Sequence, residues 1–225
     1  MTSGLPLFPL GTVLFPGLVL PLHIFEPRYR ALVRDLETLP EGVAREFGVV
    51  AIQRGWEVDN HSAALSLHEI GCTAQVRQIS RLDDGGFDIV TVGRRRFRVL
   101  EIDTHSQPYL TARVEWLPDE LGDPGEAERL APVVLALFQN YLALVRTQPG
   151  LPGEQVPDEP TLLSHLVAAT ATLAVPDRQR LLAAADTVER LRTERRLLTR
   201  EVGLLRRIRA VPASLADLAS PTSPN

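Results

Sequence analysis

Few side chains in this sequence have the types and spacing that chemistry on a substrate needs. Five histidines stand at 23, 61, 68, 105 and 165, without the H-x-x-x-H or H-E-x-x-H spacing that puts two imidazoles on one helix face to share a zinc ion. Asp59, His61, His68 and Cys72 are near one another in the chain, yet their intervals match no compact ligand set, and a loop of polar residues accounts for them. Asp83 and Asp84 are adjacent carboxylates, but Gly85 and Gly86 follow, and aspartate belongs there for turn geometry alone. All 24 Lys-plus-Arg positions are arginine. Without a lysine there is no phosphate-binding loop of the G-x-x-x-x-G-K-S/T type, no Schiff base and no Ser-Lys dyad. The expectation is a protein with no catalytic residue, no bound metal and no cofactor.

What the chain has in place of reactive groups is an apolar opening. From Leu5 to Phe25 there is no formal charge, and 13 of those 21 residues are Leu, Val, Ile or Phe. Prolines at 6, 9, 16 and 21 exclude a membrane helix, because each removes a backbone donor and crowds the preceding turn. Met1-Thr2-Ser3-Gly4 supplies no basic patch for a secretory signal. The stretch therefore belongs to the folded protein, and most of it is expected in a core. The Phe15-Pro16-Gly17-Leu18 turn is expected to expose an apolar patch, with Phe15 and Leu18 as contacts and Glu26, Arg28 and Arg30 as a charged rim. Such a patch fits unfolded or hydrophobic peptide.

The elements that must position this patch follow from periodicity. Leu5–Leu7, Val13–Phe15 and Leu18–Leu20 are runs too short for helices, bounded by Gly and Pro, and read as strands and tight connections. Pro27 opens a helix over about 27–38, with Tyr29, Leu32, Val33 and Leu36 on its inner face. FGVVAI (47–52) reads as a buried strand, and WEVDNHSAAL as a polar excursion. Gly71–Ile79, the turn 83–86 and the alternation from Phe87 form a long hairpin, continued by strands at 95–102 and 109–117. At Pro118–Gly125 the composition turns acidic and turn-forming, and Leu, Ala, Arg and Glu dominate beyond it.

Helices are expected near 126–146, 160–173, 177–185 and 187–209, with Asp177 as an N-cap and Asp186 with Glu189 as a capping box. The fold class is α+β: a strand-rich domain over 1–118, a linker over 119–125, a helical subdomain over 126–211 and a disordered tail over 212–225.

A net charge of −4 and a pI near 5.8 give no basic field for nucleic acid or an anionic membrane. The lone Cys72 cannot form an internal disulfide, which fits a reducing, cytoplasmic setting. The run Arg94-Arg95-Arg96-Phe97-Arg98 interleaves arginines with an aromatic. On a strand, Arg94, Arg96 and Arg98 share one face, expected to be solvated, while Phe97 turns to the core.

LPLFPL, FPG (15–17), PLHIFEPRY (21–29), FGVV, GCTAQV and GRRRFRV (93–99) together resemble the Lon protease N-terminal, substrate-binding domain, and in particular its stand-alone bacterial form. DRQRLLAAADTVERLRTERRLLTREV is similar to the helical run that follows that domain in Lon. The resemblance covers about 5–209. It implies a PUA-like β-barrel or folded sheet, a C-terminal α-helical bundle, and binding of unfolded or hydrophobic protein segments on behalf of a separate ATP-dependent protease. The ATPase module and Ser-Lys peptidase of Lon each need a lysine this chain lacks, so a non-catalytic module is expected. The alternative that the PUA-like fold implies is RNA binding, which the acidic pI disfavours.

Overall fold

The computed structural model of the protein describes residues 4–54, 66–145 and 157–210. The polar excursion WEVDNHSAAL (56–65), with His61, and the tail 212–225 lie outside them. Along the chain run β1 (Leu5–Leu10), β2 (Val19–Ile24), α1 (Pro27–Glu37), β3 (Glu46–Arg54), β4 (Ser66–Leu67), β5 (Ile70–Arg81), β6 (Phe87–Asp103), β7 (Thr111–Leu117), α2 (Pro124–Val145), α3 (Pro160–Thr170), α4 (Val175–Leu182) and α5 (Thr187–Ala210).

The strands close on themselves. In the order β1-β7-β6-β5-β3 each strand bonds the next, and β1 returns to β3 in parallel with Leu7 opposite Gly48. The 95–102 run is no separate strand. It is the second half of β6, a 17-residue strand with β5 along one side and, on the other, β2 opposite 87–92 and β7 opposite 96–103. Phe97 fixes where the ring can close. A Cβ on Gly48 or Gly71 would lie 2.6 or 2.5 Å from the tip of the Phe97 ring, so both positions need glycine for the strands to reach it. Leu7, Val50 and Ala112 complete that all-strand cluster.

The larger core lies between strands and helices. Tyr29, Leu32, Val33 and Leu36 bury the inner face of α1 at the spacing expected from sequence, against Phe8, Phe47 and Val49. Leu181 and Leu182 of α4 and Leu197 of α5 enter this same core from the far end of the chain. Val134, Phe138 and Tyr141 of α2 pack with Val167 of α3 and with Leu191, Leu198 and Val202 of α5. By length and composition α2 is apolar enough to cross a membrane, but here Ala127, Leu130, Val134, Phe138 and Tyr141 face other helices. At the start of α5, Asp186 accepts from the Glu189 amide at 2.8 Å and Glu189 reaches back to the Ala185 amide at 2.7 Å, close to the expected capping box. Asp177 caps nothing: α4 starts two residues earlier, and Asp177 pairs with Arg180 and Arg200.

Arg96 corrects the expected solvated arginine face. Its side chain is only 1% exposed, because the α4–α5 connection and the strand-to-helix segment close over this part of β6. The guanidinium donates to the Leu182 and Ala184 carbonyls at 2.9 and 2.6 Å and to Pro118 at 2.8 Å, and it pairs with Asp119. The 118–123 segment is tied down further along as well, since the Glu120 carbonyl accepts from the Thr187 amide at 2.9 Å. Arg95 and Arg98 stay outside, Arg95 stacked 3.8 Å over Trp116 and bonded to Glu46, Arg98 paired with Glu115.

Candidate functional site

The opening residues build a cleft because β1 and β2 both border it without pairing with each other. β1 leaves β7 after Pro6 and continues along β3 alone, which carries Phe8, Pro9 and Leu10 past the end of the β7 ladder. β2 pairs with β6 and, among the described residues, with no other strand. Strand alternation sets its two faces: Leu20, Leu22 and Ile24 turn toward the core, whereas Val19, Pro21 and His23 are exposed. Phe25, next in the outward series, is 55% exposed at the point where the chain turns into α1.

Between these strands is a cavity of about 240 Å³, walled by Phe8, Pro9 and Leu10 on one side and by Leu22, Ile24 and Phe25 on the other. Tyr29, in the first turn of α1, forms its end and stacks on Phe8 with ring centroids 4.0 Å apart. Glu26 holds the N-cap position of α1 in an extended conformation without a capping hydrogen bond; its carboxylate instead pairs with Arg28 at 2.8 Å. The Arg28 guanidinium lies over the Tyr29 ring at 4.4 Å. Across the rim His23 meets Asp88 at 2.7 Å.

Of the residues expected at the site, Glu26 lines the cleft and Arg28 stands beside it, half-buried. Leu18 is half-buried against the core. Arg30 faces elsewhere, donating to the Asp84 carbonyl in the β5–β6 turn at 3.2 Å. Phe15 is a correction: its exposure is 0%, so it is core and offers no contact surface. Gly93 is the reason, since a Cβ there would sit 2.0 Å from the Phe15 carbonyl, and its absence lets the 13–15 segment press onto β6. Sequence reasoning missed Phe8, Leu22, Phe25 and Tyr29. The signal for Phe25 was present in the outward series 19, 21, 23, 25.

The cysteine of the chain is not at the cleft. Cys72 lies in the core, where burial pushes its thiol up to about 12. Among the described residues no three of His, Cys, Asp and Glu converge as metal ligands would.

The family model for the ATP-dependent protease La (LON) substrate-binding domain matches residues 4–200. The chain belongs to this family. Among the curated relatives of this substrate-binding domain are a Lon protease of Anaeromyxobacter dehalogenans, 31% identical over 206 residues, and one of Xanthomonas oryzae, 31% identical over 194. The alignments cover 90% and 83% of this chain but 24% and 22% of those proteins, so it spans about a quarter of their length. A solved Lon N-terminal domain protein from Xanthomonas campestris superposes with a TM-score of 0.60 at 28% identity, covering 88% of this chain and 98% of that one. The N-terminal domain of a Mycobacterium avium complex Lon protease shares the fold, with a TM-score of 0.57 at 18% identity over 89% of this chain and 98% of that one. The LON substrate-binding domain thus accounts for nearly all the described residues, strands and helices alike.

Proposed function

We propose that this protein binds unfolded or exposed apolar protein segments through the cleft between β1, β2 and the start of α1, as a non-catalytic adaptor for a separate ATP-dependent protease. The observation that carries this reading is the combination at one place of an apolar-walled cavity and the outward-facing Phe25. A large aromatic left in water beside a cavity is what an apolar ligand covers. Leu10 and Leu22 extend the apolar wall, and Glu26 and Arg28 fix the polar end, while Leu18 packs against the core away from the cleft. The strand-rich part over 1–118, which we take as a PUA-like barrel, carries the cleft. The helical part over 126–211, taken as a bundle, supports it from behind. Membership of the LON substrate-binding family supports protein segments as the ligand class, and the absence of lysine argues against ATP hydrolysis or peptide cleavage by the Lon route in this chain.

The reading is tested by the change in fluorescence anisotropy of a labelled, permanently unfolded protein on titration with this chain. Saturable binding that survives nuclease treatment and is competed by other unfolded proteins, but not by folded ones, is expected. Absence of saturable binding, or competition by RNA alone, overturns it.

A further inference from the structure

Three of the four prolines in the opening stretch sit on the strands that flank the cleft: Pro6, still opposite Thr111 of β7, and Pro9 on β1, and Pro21 on β2. On β1 the Leu7 amide donates to the Leu110 carbonyl at 2.8 Å, toward β7. By the two-residue repeat of a strand, Pro9 turns its backbone to that same side, beyond the last β7 partner. On β2 the Leu18 carbonyl accepts from the Gly93 amide at 2.9 Å and the Leu20 carbonyl from the Thr91 hydroxyl at 2.8 Å, so the even-numbered residues face β6. Val19, Pro21 and His23 therefore direct their backbone outward. Each edge bordering the gap carries a proline where an incoming strand needs an N–H.

The gap is built for a side chain. Its volume of about 240 Å³ is bounded by the stacked Phe8 and Tyr29 rings and by Leu22 and Ile24. The polar groups at its mouth already have partners within the protein, the Glu26 carboxylate in Arg28 at 2.8 Å and the Asp88 carboxylate in the His23 ring at 2.7 Å. The cleft is thus complementary to an uncharged group. A charged side chain entering it would lose its water and gain no counter-charge.

We propose that the cleft recognises one uncharged aromatic or long aliphatic side chain of an extended segment without reading that segment's backbone, strand addition being blocked by Pro9 and Pro21. The inference rests on the cleft being the binding site. It also gives Pro9 and Pro21 a role: they keep a further strand from joining in the gap between β1 and β2.

An NMR titration of the full chain with a short Ser/Gly-rich peptide bearing a single central phenylalanine tests this. Replacing the phenylalanine by Ser, Lys or Glu is expected to weaken binding roughly ten- to a hundredfold, the equivalent of losing one buried aromatic side chain. N-methylating the backbone amides on both sides of the phenylalanine is expected to leave affinity within about twofold, because no backbone hydrogen bond is lost. A tenfold loss on N-methylation, with the Phe→Ser peptide binding normally, would show strand addition and overturn the inference while leaving the cleft as the site. Binding of the parent peptide that leaves the signals of Phe25 and Tyr29 unshifted would overturn both.

Discussion

Arg96 of β6 and Asp119 of the strand-to-helix segment form an ion pair at 2.7 Å with the arginine side chain almost wholly out of water. Around it converge the ends of α4, the start of α5 and His165 of α3, whose Nε2 is 3.3 Å from the same carboxylate oxygen. The strands and helices of this protein are therefore joined through a buried polar junction as well as through a shared apolar core.

Removing the arginine leaves three carbonyls without their donor and takes from Asp119 its nearest cation. Arg96→Ala is expected to destabilise the protein by about 3–5 kcal/mol, whereas Arg98→Ala, which breaks an exposed pair with Glu115, is expected to cost under about 1 kcal/mol. Denaturant unfolding of both variants checks the contrast, and equal losses would contradict the burial of Arg96.

The same junction sets a pH dependence. Burial pushes the His165 imidazole below its usual 6.5, with Asp119 opposing and Arg190 and Arg96 adding to the effect. Because the unfolded chain takes up that proton more readily, this group withdraws stability as pH falls through about 6.5. Glu194 acts in the opposite sense: burial raises its carboxyl well above 4.5, against the pull of Arg190, so it withdraws stability as pH rises past 4.5. His165→Gln should flatten the acid side of the melting-temperature profile, and Glu194→Gln should gain on the parent protein progressively as pH rises. Profiles that run parallel to the parent's would contradict these assignments.

The ring closure around Phe97 is equally specific. Gly71→Ala places a methyl 2.5 Å from the Phe97 ring and 2.6 Å from the Val49 carbonyl, and is expected to cost at least about 1–3 kcal/mol. Gly203→Ala on α5, where nothing lies within 4 Å, should be neutral or stabilising by up to about 1 kcal/mol. Thermal melts of the two variants distinguish a steric requirement from a general dislike of alanine.

Periodicity made most elements legible: the hairpin, the early helix and the four later helices stand close to where alternation and 3.6-residue spacing put them. What sequence could not supply was which apolar residues of the opening face inward. Phe15 and Phe25 look alike in a string, each an aromatic beside a proline or an acid near a turn. Phe15 is buried because Gly93, far along the chain, lets it approach β6; Phe25 is exposed because it continues the outward side-chain series Val19, Pro21 and His23 of β2. The cleft escaped notice for a related reason, since its two walls never pair and leave no matched pattern. Arg96 was misplaced because alternation describes a strand's two faces and says nothing of a helix connection that covers one of them.

The central claim is that the cleft at Phe25, and not the Phe15 turn, binds protein segments. It is tested most directly by measuring, on the same samples, the affinity for a labelled unfolded protein and the melting temperature of Phe25→Ser and Phe15→Ala. Phe25→Ser is predicted to keep the parent melting temperature while weakening binding by roughly 1–3 kcal/mol. Phe15→Ala is predicted to lose about 3–5 kcal/mol of stability and to bind normally in whatever fraction stays folded. Normal binding by a folded Phe25→Ser protein would contradict the claim.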